Sequence, residues 1–147
     1  MYIIELLYES ADASDIDVIF QLNCALIEQY EDRAKIDYHY VLSWTRRKIE
    51  TYISAYTRVR AKDMIVGYYY FHSSAGKMEI DDLFVLPEYR CRGIGTKILC
   101  TCISKTDLPV FLYVFAANVR AISLYKRMGF EKIKSVTDTR YIMERKP

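Results

Sequence analysis

Val85-Leu86-Pro87-Glu88-Tyr89-Arg90-Cys91-Arg92-Gly93-Ile94-Gly95-Thr96-Lys97 joins an apolar strand to an apolar helix, and it breaks the usual rules for starting that helix. A helix start leaves backbone N–H groups unpaired and carries a partial positive charge. Such ends normally take Ser, Thr, Asp or Asn as a cap and acids in the first turn. Here Arg90 to Gly93 offer no capping oxygen, and Arg92 and Lys97 add positive charge. An anion from outside would resolve the conflict by accepting the N–H groups and neutralising the arginines. Gly93 and Gly95 would let it approach, with no Cβ in the way. The spacing is neither that of a Walker loop nor, lacking a third glycine, that of a dinucleotide fold.

Working outward, hydrophobic periodicity lays out the rest of the chain. Residues 2–8 read as a strand. Ser14 with Asp17 resembles a capping box and opens a helix to about Tyr30, with Asn23 in the middle of its apolar face. A second helix is predicted over Val41–Ala55. Strands follow at Thr57–Ala61, Ile65–His72 and Lys77–Leu86, then a helix at Gly93–Ser104. A strand at Pro109–Phe115, a helix at Asn118–Met128 stopped by Gly129, and strands at Phe130–Ile133 and Arg140–Glu144 complete the order. This order predicts an α/β fold in one domain, 1–147. Its centre is a mixed, mostly antiparallel sheet of about seven strands with helices on both faces.

The chain has 147 residues, of which 52% are hydrophobic and 27% charged, so it is an ordinary globular sequence. A net charge of +2 excludes the basic footprint of a nucleic-acid binder. No apolar run is long enough for a bilayer, and the acidic start lacks a signal peptide's basic region, so a cytoplasmic location is expected. Cysteines at 24, 91, 100 and 102 and histidines at 39 and 72 form no metal-ligand spacing, so no metal is expected. Residues 1–32 carry eight acids and no Lys or Arg, whereas all 21 basic residues lie beyond them.

Arg90-x-x-Gly93-x-Gly95, after a strand ending Val85-x-Pro87, resembles the coenzyme-A pyrophosphate loop of the GNAT acyltransferase superfamily. Asn118-x-x-Ala121-x-x-x-Tyr125-x-x-x-Gly129-Phe130 is similar to that superfamily's second motif. Cys91 departs from the pattern, which usually has Gly or a small residue there. The resemblance implies acetyl transfer from acetyl-CoA to a primary amine by direct attack, without a covalent enzyme intermediate. It implies that Leu83, Phe84 and Val85 offer backbone groups to the pantetheine arm. Arg90, Cys91, Arg92, Gly93, Ile94, Gly95 and Thr96 would hold the pyrophosphate, and Asn118 the far end of the arm.

An amine near pKa 10 must lose a proton before it attacks, and the departing thiolate must gain one. Tyr125 is the candidate acid. The candidate bases lie on Lys77-Met78-Glu79-Ile80-Asp81-Asp82-Leu83-Phe84-Val85. Asp81 matches polyamine-type members of the family and Glu79 matches histone-type members, with Asp81 slightly ahead. Strict alternation places Glu79 and Asp81 on one face and Asp82 on the other, unless a β-bulge intervenes. Asn23, Glu28, Glu31 and Asp32 are the candidate acceptor-binding residues; their charge suits a cationic small-molecule or peptide amine. A homodimer is left open. The alternative reading is a non-catalytic acyl-CoA sensor or assembly module of the same fold.

Overall fold

The computed structural model describes residues 4–147. Its seven strands are β1 (Leu6–Ser10), β2 (Thr57–Ala61), β3 (Met64–Ser74), β4 (Lys77–Val85), β5 (Val110–Phe115), β6 (Glu131–Ser135) and β7 (Arg140–Arg145). The helices are α1 (Ile16–Tyr30), α2 (Tyr38–Tyr52), α3 (Ile94–Ser104) and α4 (Val119–Arg127). The sheet runs β1-β2-β3-β4-β5-β7-β6, and among the described residues only β4 and β5 pair in parallel. This is the mixed, mostly antiparallel architecture expected from the sequence.

Two apolar layers flank the sheet. Ile19 of α1 and Ile49 of α2 pack with Tyr56, Tyr68 and Tyr70 on one face. Ile94, Ile98, Leu99 and Cys102 of α3 and Ile122 of α4 pack on the other. Asp15 locks the entry to α1. Buried at 2% exposure, it accepts from the Tyr68 hydroxyl at 2.6 Å and from Arg58 at 2.8 Å.

Several boundaries move for physical reasons. The capping box is Asp12 with Asp15, because their carboxylates accept from Ser14 N–H and Asp12 N–H; Ser14 and Asp17 do not form it. The first strand is β1 at Leu6–Ser10, because its antiparallel partner β2 extends only from Thr57 to Ala61; positions 2–3 of the expected strand lie outside the described residues. Asp37 caps α2 through Tyr40 N–H and starts it three residues early. Cys102 is buried while Cys100, on another side of α3, is exposed.

The decisive irregularity lies in β4. Tyr70 pairs with Asp82 but Phe71 pairs with Ile80, so Asp81 is an extra residue without a counterpart. This β-bulge interrupts alternation. Ile80 and Leu83 pack toward α3 and α4, while Asp81 and Asp82 both reach Lys48 of α2. Asp82 therefore does not face away from Glu79 and Asp81, as strict alternation would have it; all three acids gather on the α1–α2 face.

Candidate active site

On that face a cleft of about 700 Å³ opens between α2 and the sheet. Trp44, Lys48 and Tyr52 wall it from α2, Tyr70 and His72 from β3, Glu79 and Asp81 from β4, and Tyr113 and Arg140 from the far strands. Tyr52 stacks on Tyr70 at 5.6 Å, and Tyr70 lies 4.5 Å from the His72 ring, giving a flat aromatic wall.

The three acids differ in their neighbours. Asp82 is buried and accepts from the Tyr56 hydroxyl at 2.5 Å, with Lys48 3.5 Å away. Burial pushes its carboxyl up, against the pull of Lys48 and Tyr56. Asp81 has both oxygens engaged: Oδ1 by Lys48 Nζ at 2.8 Å and Oδ2 by His72 Nε2 at 3.0 Å. Glu79 is less committed, with His72 Nε2 3.6 Å from its Oε1. Burial first, and then the negative charge of Asp81, raise the Glu79 carboxyl above its usual range. Burial opposes the Lys48 ammonium, but Asp82 and Asp81 outweigh it and hold the lysine charged.

Of the expected acceptor residues, the structure brings Asn23 to this cluster: its amide donates to Ile19 O at 3.0 Å and reaches Asp82 at 3.5 Å. Glu28 accepts from Tyr38, Glu31 from Thr139, and Asp32 from Ala34 N–H. These three acids fasten the α1–α2 connection, and none lines the cleft. Tyr30 stacks on Phe115 at 5.7 Å, away from the cleft that Trp44 walls.

The opposite face carries the rest. β4 pairs with β5 only at Met78↔Val110 and Glu79↔Phe111, although β4 runs on to Val85 and β5 to Phe115. Beyond Glu79 the two strands part. Backbone groups of β4 directed into this opening are available to an extended polar chain such as pantetheine. At its mouth α3 starts at Gly93 (φ +78°) with no side-chain cap and no acid in its first turn. Cys91 at φ +62° makes a second left-handed turn in the same loop. Arg90 Nε donates to Val85 O at 3.0 Å, Arg92 lies 5.7 Å over the Tyr89 ring, and Arg120 donates to Cys91 Sγ at 2.6 Å. These features fit the diphosphate and pantetheine of coenzyme A.

Two expected binding residues also do structural work. A Cβ on Gly95 would point at Leu124 at 3.4 Å and Val85 at 3.9 Å, so this glycine serves helix packing as well as its open N–H. Asn118 caps α4, its Oδ1 accepting from Ala121 N–H at 3.3 Å. Tyr125 packs among Ile80, Leu112 and Phe130. Burial alone pushes its hydroxyl up to about 12. It is therefore protonated at neutral pH, as a proton donor must be.

Lys48, His72, Tyr56, Tyr113, Arg120 and Arg140 were not singled out from the sequence. Lys48 had a visible signal: Trp44, Lys48 and Tyr52 are spaced by four, so the lysine sits alone in an aromatic stripe.

A profile of the acetyltransferase (GNAT) family matches residues 18–130, and the chain belongs to that family. It is 37% identical over 78 residues to a thialysine N-epsilon-acetyltransferase of Bos taurus, a stretch covering 47% of this chain and 46% of that protein. The Mus musculus counterpart is 34% identical over 79 residues, 48% and 46% of the two chains. The match thus spans about half the length of these curated relatives. Among solved structures, a PaiA N-acetyltransferase from Thermoplasma acidophilum in complex with coenzyme A superposes with a TM-score of 0.72 at 20% identity, covering 97% of this chain and 99% of that one. An acetyltransferase from Thermus thermophilus gives 0.73 at 15% identity over 99% of both. At such identities the likeness is one of fold.

Proposed function

We propose that the chain transfers the acetyl group of acetyl-CoA to a primary amine by direct attack. The observation that carries this is the placement of acid and base. Glu79 and Asp81 line the α2 face of the sheet, and Tyr125 packs on the α3–α4 face. The opening between β4 and β5 runs between them. An acyl donor threaded there presents its carbonyl to an amine from one side and its sulfur to a phenol on the other.

Each residue then has a distinct task. Glu79 takes a proton from the ammonium, since burial raises its carboxyl toward the ammonium's range and its oxygens are less committed than those of Asp81. Asp81, held by Lys48 and His72, positions that wall. The freed nitrogen lone pair forms the C–N bond, the C–S bond breaks, the Tyr125 hydroxyl protonates the departing sulfur, and the nitrogen's second proton goes to solvent as the tyrosinate regains one. The N–H groups at Gly93–Thr96 and the charges of Arg92 and Arg120 hold the diphosphate. The bovine relative is named for acetylating the ε-nitrogen of thialysine, an alkyl primary amine, which agrees with this acceptor class.

A panel of amines incubated with acetyl-CoA, read by released thiol, tests the proposal. Thiol release that depends on a primary amine is the expected result. Tight coenzyme-A binding with no release from any amine would favour the sensor reading instead.

A further inference from the structure

Arg140 is the odd cation of the cleft. Lys48 and His72 each have acid partners there. Among the described residues, no carboxylate forms an ion pair with Arg140. Its guanidinium instead lies over Tyr113 at 5.1 Å and Phe115 at 5.7 Å. Stacking fixes the plane of the guanidinium and leaves its N–H edge available to a planar acceptor. Arg140 lines the same cleft as Glu79 and Asp81, so the two ends carry opposite charge.

The register gives the span between those ends. Glu79 pairs with Phe111, and Arg140 pairs with Phe115 on the strand beyond. That places the two backbones roughly 16 Å apart, and side chains that rise from the sheet into the cleft leave much of that span to be bridged. An acceptor with a second ammonium at that distance would meet the arginine as a like charge.

We propose that the acceptor is a primary alkylamine carrying a carboxylate at the far end of a chain of about six carbons, which with a hydrogen bond at each end bridges most of that span. Arg140 holds the carboxylate through paired N–H···O bonds, while the ammonium end sits at Glu79 and Asp81. A cleft of about 700 Å³ has room for such a molecule. The inference rests on the cleft being the amine site and names what that site selects.

The test compares ε-aminocaproate with its neutral carboxamide and with pentylamine, each assayed with acetyl-CoA. The expected kcat/KM for ε-aminocaproate exceeds that for the carboxamide by about 10-fold or more, mostly through KM. Arg140→Met should collapse that ratio toward unity, and Arg140→Lys should recover part of it. A wild-type protein that prefers the carboxamide or pentylamine overturns the inference without any variant, and leaves the acetyltransferase proposal standing. Calorimetric titration of ε-aminocaproate into the protein with coenzyme A bound supplies a readout without turnover. Arg140-dependent binding with no acetylation of any amine would support the carboxylate site and overturn the acetyltransferase proposal. Absence of both binding and turnover would overturn the inference.

Discussion

Glu79 and Asp81 lie two positions apart on one strand, yet their surroundings assign them different work. Glu79→Gln is expected to lower kcat by about 100-fold and to remove the acidic limb of the pH–rate profile. Asp81→Asn should act more on KM, since it releases Lys48 and His72 into the cleft. The same Glu79 variant should change stability. Its folded carboxyl sits above the ordinary 4.5, so the folded state holds the proton longer than the unfolded chain and stability falls as pH rises through that window. Glu79→Gln should therefore raise Tm more at pH above the window than at about pH 4, as thermal melts across pH would show. Tyr125→Phe keeps the ring packed against Phe130. It should cut kcat by about 100-fold or more with donor affinity retained, as turnover and titration together would report. Tyr125 stands out in the sequence because its neighbours form a motif, and the structure shows it buried on the α3–α4 side. Arg140 and Lys48 do not, because their meaning comes from acids and rings supplied by distant strands.

At the scale of elements, the uncapped start of α3 was readable from Arg90–Lys97 alone, because capping rules are local. Arg92→Glu puts an acid beside that start and should weaken coenzyme-A binding by about 10-fold or more, with Tm in the absence of ligand little changed. Binding isotherms and melts would check both halves. The β4 bulge was not readable, because it shows only in the pairing with β3: consecutive Tyr70 and Phe71 meet Asp82 and Ile80, and nothing in Lys77–Val85 alone marks Asp81 as the extra residue. The need for Gly67 was equally hidden. A Cβ there would lie 2.3 Å from the Phe84 carbonyl oxygen, so the strand pair cannot close around it. Gly67→Ala should destabilise the fold by about 2 kcal/mol or more, measurable by denaturant unfolding.

Across the whole molecule, the order of elements gave the sheet and its two helical layers, because strand–helix alternation and hairpin turns are sequence signals. The charge asymmetry names no partner by itself, because most of the early acids hold the chain's own structure, as Asp15 holds Tyr68 and Arg58, and as Glu31 holds Thr139. Coenzyme A should raise Tm, and the rise should shrink with salt as the diphosphate contacts are screened. Hydrogen exchange should slow most in Asp81–Val85 and Leu112–Phe115, the backbone on either side of the opening, and an even slowing over the chain would show the ligand elsewhere.

The parted strands also bear on how long such a molecule lasts. The sheet is two blocks, β1 to β4 and β5 to β7, and their parallel seam is held by two register pairs. An occupant of that seam acts as mortar between the blocks. Ligand at 100 times its Kd adds about 2.7 kcal/mol to the folded state. The chain's resistance to proteolysis should then follow the supply of acyl donor, so that a cell short of acetyl-CoA clears the protein faster and one well fed retains it.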